Sequence, residues 1–302
     1  MTMMHMSIER PTGIATSVAD VAKLVSLSTS QWAGTKKLTK AQVAELANTA
    51  GVDEKFLRGT KSLTGDCPEL KAVMTITNSM RTAFYDATLP WWRGWGLLPN
   101  VKFMDFHNTM TGLMARREDA VEQFIDRYEW IRAEVEANGS LGSFFSMRDY
   151  PTVDEMRRKF RAELMYAEVP TNDIRTAPGE EAKQILHDYY TNAQKSLVEE
   201  ATSDMWARTH KLLTSLVSSL TVEADGKRGR IYESTFDSVQ GLIDGLRDFN
   251  LTGDASMEAA RQKLEAALNG VGLDALKESD SKREEVKENL QAVLDSLPSL
   301  DI

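Results

Sequence analysis

Between Gly179 and Glu223 the chain has no internal glycine and no proline. Ile185, Tyr189, Ala193, Leu197, Ala201 and Met205 follow one another at intervals of four, and Leu212, Leu216 and Leu220 do the same. Residues four apart share one face of an α-helix, so the segment reads as one helix, or two with a break, of about 40 residues. Unbroken, such a helix is roughly 60 Å long, well beyond the usual globular length. A zipper seam would alternate intervals of three and four. The uniform interval of four therefore favours bundling within the chain over a long dimer seam.

Other helices announce themselves by their starts and stops. Ser17-Val-Ala-Asp20 opens a segment with Val18, Val21, Ala22 and Val25 on one face. Thr39 and Gln42 form a capping box, in which a hydroxyl and an amide satisfy each other's backbone donors, and Gly51 closes that helix. Asp66-Cys-Pro-Glu69 is a second box, with Pro68 tolerated in the first turn. The helix it opens carries Leu70, Val73, Thr77, Met80 and Phe84 and stops before Pro90. A helical pattern runs from Pro99 to about Asn138 and ends at Gly139. Thr152-Val-Asp-Glu155 restarts a helix with Met156, Phe160 and Leu164 at intervals of four. Three further helices follow the loop 224–230, the first carrying Phe236, Val239, Leu242, Ile243 and Leu246. These readings predict an all-α protein, elongated, with a helical bundle and one long helix. The irregular stretch Ala167–Pro178 predicts a boundary between a domain at 1–170 and an acidic long-helix bundle at 178–302.

With 302 residues and 42% hydrophobic content the chain can bury a sizeable core. Its single cysteine, Cys67, cannot form an internal disulfide, and no signal segment or membrane span is legible, so a cytoplasmic location without a membrane partner is expected. The net charge is −9, unevenly spread. Residues 1–117 carry 14 Lys/Arg against 9 Asp/Glu, and residues 118–302 carry 22 against 36. The acidic part would repel a phosphate backbone, leaving only the first third to approach nucleic acid.

No recognisable catalytic motif is present. The four histidines, at 5, 107, 187 and 210, lack ligand spacing, and no metal or other cofactor is expected. Gly226-Lys227 lacks the upstream glycine and following hydroxyl of a phosphate-binding loop, and Gly94-Trp-Gly96 lacks a third glycine. Cys67, in its capping box, is read as structural, since a lone cysteine marks a nucleophile only with partners. Two segments carry functional hints. Ala44–Arg58 has the small Ala47, the turn residue Gly51 and the apolar Val52 and Leu57 of a helix-turn-helix, with Lys55, Arg58 and Lys61 placed to meet phosphates. Asp53 and Glu54 in the first turn of its second helix oppose that reading, and a plain helical hairpin is the simpler alternative. The second segment is a loop with Trp91, Trp92, Arg93 and Trp95. Such residues stack exposed bases, anchor protein contacts or plug a helical core, the last being their commonest fate.

Arg81-Thr-Ala-Phe-Tyr-Asp-Ala-Thr-Leu-Pro-Trp91, Gly96-Leu-Leu-Pro99, Tyr150-Pro151 and Val169-Pro-Thr-Asn-Asp-Ile-Arg175 resemble a tailed-phage domain family of unknown function. Genes of that family neighbour those for MoxR-type AAA ATPases and von Willebrand A-type proteins. The resemblance spans about residues 80–175. It implies a phage origin, a host-bacterial cytoplasm and an AAA ATPase partner. It brings no catalytic residues and implies no activity. The leading expectation is a non-enzymatic interaction or scaffold protein, acting as an oligomer or with such an ATPase. The alternative is a DNA-binding or recombination accessory protein that uses the basic first third.

Overall fold

Two antiparallel sheets stand among the helices, which overturns the all-α expectation and makes the protein α+β. The computed structural model describes residues 17–171, 179–221, 229 and 233–298. Residues 172–178 of the predicted boundary stretch, the predicted loop 224–230 apart from residue 229, and the side chain of Phe236 lie outside the described residues. Chain order is α1 (Val18–Val21), β1 (Ala22–Ser30), β2 (Thr35–Lys37), α2 (Lys40–Ala50), β3 (Thr60–Ser62), α3 (Pro68–Ala87), β4 (Leu89–Pro90), β5 (Gly96–Pro99), α4 (Phe103–Ala137), α5 (Val153–Arg157), β6 (Arg161–Glu168), α6 (Glu180–Leu220), α7 (Glu233–Asp248), α8 (Ala255–Leu268), α9 (Leu273–Glu278) and α10 (Asp280–Asp295). One sheet has the order β4-β5-β1-β6, and β2 pairs with β3 in a second.

The two misread strands show why the pattern deceived. Residues four apart share a face of a helix, but they also share a face of a strand, whose period is two. Val21 and Val25 fit both, as do Phe160 and Leu164. Ser17 does open a helix through a complete capping box with Asp20, but α1 lasts one turn before the chain extends into β1. Likewise α5 closes at Arg157, and β6 then alternates exposed and half-buried residues from Arg161 to Leu164.

The chain forms two units, and each takes its residues from separate stretches of sequence. The terminal unit comprises the chain up to Val25, Thr88–Phe103 and the chain from Tyr166 on. The inserted unit comprises Ser26–Ala87 and Met104–Met165.

In the terminal unit α6 is a single helix of 41 residues. Its second half buries Leu213, Leu216 and Leu220 against Val239, Leu242 and Leu246 of α7, Met257 and Leu264 of α8, and Val286, Leu290 and Val293 of α10. Its first half stays largely open, with Ile185 and Tyr189 exposed. The β4–β5 hairpin joins this core through Leu89 and Leu97, which face each other in register. Gly96 is required there, because a Cβ would come within 2.7 Å of the Thr88 side chain.

The inserted unit packs Trp32, Leu63, Leu70 and Val73 against Val121, Phe124, Tyr128 and Ile131 of α4. Trp32 meets Tyr128 edge-on at 5.7 Å between ring centroids, a favoured aromatic geometry. Tyr128 donates its hydroxyl to the Pro151 carbonyl at 2.9 Å, and Tyr150 donates to the Leu63 carbonyl at 2.9 Å. Burial pushes the Tyr128 phenol up to about 12.

Leu290→Ala should cost about 2–5 kcal/mol in urea unfolding, because it leaves a cavity in the terminal unit's core, whereas exposed Glu288→Ala should stay within about 0.5 kcal/mol. A phenol whose folded pKa is raised contributes stability that is complete below its unfolded pKa of about 10 and is lost as pH rises towards about 12. Tyr128→Phe should therefore lessen the fall in stability over that alkaline window, as followed by equilibrium unfolding at fixed pH values.

Candidate functional site: the tryptophan hairpin and the basic segment

The four residues of the tryptophan segment divide between core and surface. In the β4–β5 connection the Trp91 backbone N–H donates to the Trp95 carbonyl at 2.9 Å, and Trp95 N–H donates to the Trp92 carbonyl at 3.2 Å. These bonds close a tight loop with Trp92, Arg93 and Gly94 at its tip. Trp91 turns inward and joins the hydrophobic core with Leu89 and Leu97, and Trp95 packs partly buried against it. Trp92 turns outward and is 60% exposed. The guanidinium of Arg93 lies over its ring, 4.9 Å from the centroid.

Arg93 has φ +53°, the one positive φ of any non-glycine residue among those described. A side chain in the left-handed region costs on the order of 1–2 kcal/mol. Gly94 follows at φ +82°, so the turn is made by two successive left-handed residues and only one of them is glycine. The loop thus holds a strained arginine and an exposed indole together as one projecting pair. Trp91 fills the core and Trp92 does not, a split that residue type alone could not reveal.

The basic segment departs from a helix-turn-helix. α2 is capped by the Thr39–Gln42 box and ends at Gly51, whose φ of +65° provides the turn. After it comes a single 3-10 turn, Glu54–Phe56, in place of a second helix. Val52, expected to pack between two helices, is exposed. Lys55 and Arg58 are exposed, with Lys55 3.8 Å from Asp53. Between them Phe56 is 83% exposed. Sequence reasoning passed over Phe56.

Lys61 is not available to a ligand. Its side chain is 5% exposed, its ammonium lies 2.6 Å from Asp149 Oδ2, and it donates to the Phe144 carbonyl. The register sets Lys36 of β2 directly opposite Lys61 of β3, where like charges repel. Asp149 answers both, since Lys36 lies 3.9 Å from its other oxygen.

Other sequence candidates are accounted for by packing. Cys67 is buried in the inserted unit's core, donates to Glu69 Oε2 at 3.4 Å, and has its thiol pushed up by burial, which disfavours the nucleophilic thiolate. Among the described residues no three His, Cys, Asp or Glu side chains gather to hold a metal ion. No helix among them is long and apolar enough to cross a membrane. In the terminal unit a cavity of about 10 Å³, bordered by Val18, Leu89, Leu97 and Phe249, is room for one water at most.

Removing one partner of a buried ion pair strands the other charge, so Asp149→Ala should destabilise the protein by about 3–5 kcal/mol. Arg58→Ala, on the surface, should change stability by less than about 0.5 kcal/mol, and paired chemical denaturation curves test both. Compared with family models, with curated proteins and with solved structures, the chain matches none.

Proposed function

We propose that the protein is a non-enzymatic interaction or scaffold protein that engages a protein partner through the Trp92–Arg93 tip. The observation that carries this reading is the exposed indole stacked beneath a strained arginine. Exposing most of a tryptophan to water forgoes the apolar burial that its neighbours Trp91 and Trp95 obtain a few residues away. Left-handed strain at Arg93 adds a second cost, and strain held in place at a surface tip is a starting point for a functional reading. Trp and Arg are the residue types that most often dominate protein interfaces. The resemblance to a phage-borne family supplies the first partner to try, an AAA ATPase encoded nearby.

The test is mass by light scattering, for the protein alone and mixed with that ATPase. An oligomer or a complex is expected in the wild type and is expected to weaken at least about tenfold in Trp92→Ser. That variant should unfold at the wild-type urea concentration, because the side chain is mostly outside the core. A strict monomer that binds no ATPase, or an assembly indifferent to Trp92, sinks the reading.

One observation favours the nucleic-acid alternative. Exposed Phe56 between exposed Lys55 and Arg58 is a stacking face flanked by two cations, suited to single strands. A gel shift of the full chain with single-stranded DNA at two salt concentrations decides it. Salt-sensitive binding lost in Phe56→Ala and in Lys55→Ala/Arg58→Ala would favour this alternative.

A further inference from the structure

Two guanidinium groups lie side by side in the inserted unit without a counter-charge. Arg117 of α4 is 3% exposed. Its Nε donates to Thr77 Oγ1 of α3 at 2.8 Å, and its Nη2 donates to the Ser30 carbonyl, at the end of β1, at 2.8 Å. Arg81 of α3 reaches across the same two elements one residue over. It donates to Thr29 Oγ1 at 3.0 Å and to Asn78 Oδ1 at 3.5 Å. Adjacent residues of β1 and adjacent residues of α3 thus anchor two cations, close enough that the charge of Arg81, after burial itself, disfavours the charged form of Arg117.

Neither arginine forms an ion pair with a carboxylate among the described residues. A buried guanidinium stays charged, because its pKa lies far above neutrality, and burying it without an opposite charge is strongly unfavourable. Its Nη1 has no acceptor among the described residues. The Thr29 hydroxyl accepts from Arg81 and keeps its own proton free to donate.

We propose that Arg81 and Arg117 form a binding site for a phosphate group, taken either as free phosphate or as a phosphomonoester. Two planar guanidiniums and a hydroxyl supply donors to several oxygens of one tetrahedral anion, the pattern at which arginine excels. Arg81, on the exposed side, meets the anion first. Arg117, held by Thr77 and Ser30, presents its unused Nη1 from behind.

The full chain in a phosphate-free buffer is titrated with inorganic phosphate and, in a second arm, with adenosine monophosphate. Calorimetry and thermal unfolding are the readouts, with chloride at matched ionic strength as the control. Binding and a rise in Tm are expected in the wild type, with affinity falling at least about tenfold in Arg81→Gln. Arg117→Lys, which keeps the charge and loses the fork, should weaken binding as well. Tighter binding of the monoester identifies an esterified ligand, and equal or weaker binding identifies free phosphate. Arg81 is on the surface, so Arg81→Gln keeps the test valid should changes at Arg117 impair folding. No response of the wild type beyond chloride in either arm overturns the proposal, as does a response unchanged in Arg81→Gln.

Discussion

The backbone of β1 is the constraint on which most of the structure rests. Its first residues, Ala22 to Val25, pair with β5 in strict register and fix the hairpin that carries Trp92. Its last residues do different work. The Ser30 carbonyl accepts from buried Arg117, and its hydroxyl bridges Lys159 and Arg161 at the start of β6. A strand normally satisfies its polar groups within its own sheet. Here the end of β1 hands them to side chains, and the guanidinium pair follows from that arrangement. Placing charge where water is scarce is eased by Thr77 of α3, whose hydroxyl accepts from the same guanidinium.

The helices were legible where the chemistry of their ends was local. Thr39 with Gln42 and Thr152 with Glu155 cap the helices their spacing announces, since a capping box needs only residues three apart. The strands were not, because an interval of four is shared by helix and strand, and only partners far along the chain decide between them. Leu24 becomes a strand residue by facing Leu97, a pairing across a long sequence separation that no local window contains.

The candidate sites show the same division. That a tryptophan cluster matters could be read from composition, but which indole faces outward could not. The choice depends on the left-handed turn at Arg93, a residue with no intrinsic preference for that conformation. Lys61 looked like its neighbours Lys55 and Arg58, yet Asp149 claims it from far along the chain. Arg117 drew no notice in the sequence, since a buried cation is visible only once its surroundings are known. Charges that matter here are defined by their surroundings rather than by their spacing.

The interleaving of the two units bears on how the chain is made. During synthesis the inserted unit has every residue it needs once Met165 has left the ribosome. The terminal unit waits far longer: its hairpin, with Leu89 and Leu97, must remain unpacked until the helices α6 to α10 emerge to cover it. Early strands whose apolar partners come last are exposed to wrong pairings in the interval. A nascent chain halted shortly after residue 165 would therefore hold one finished core and the open beginnings of another.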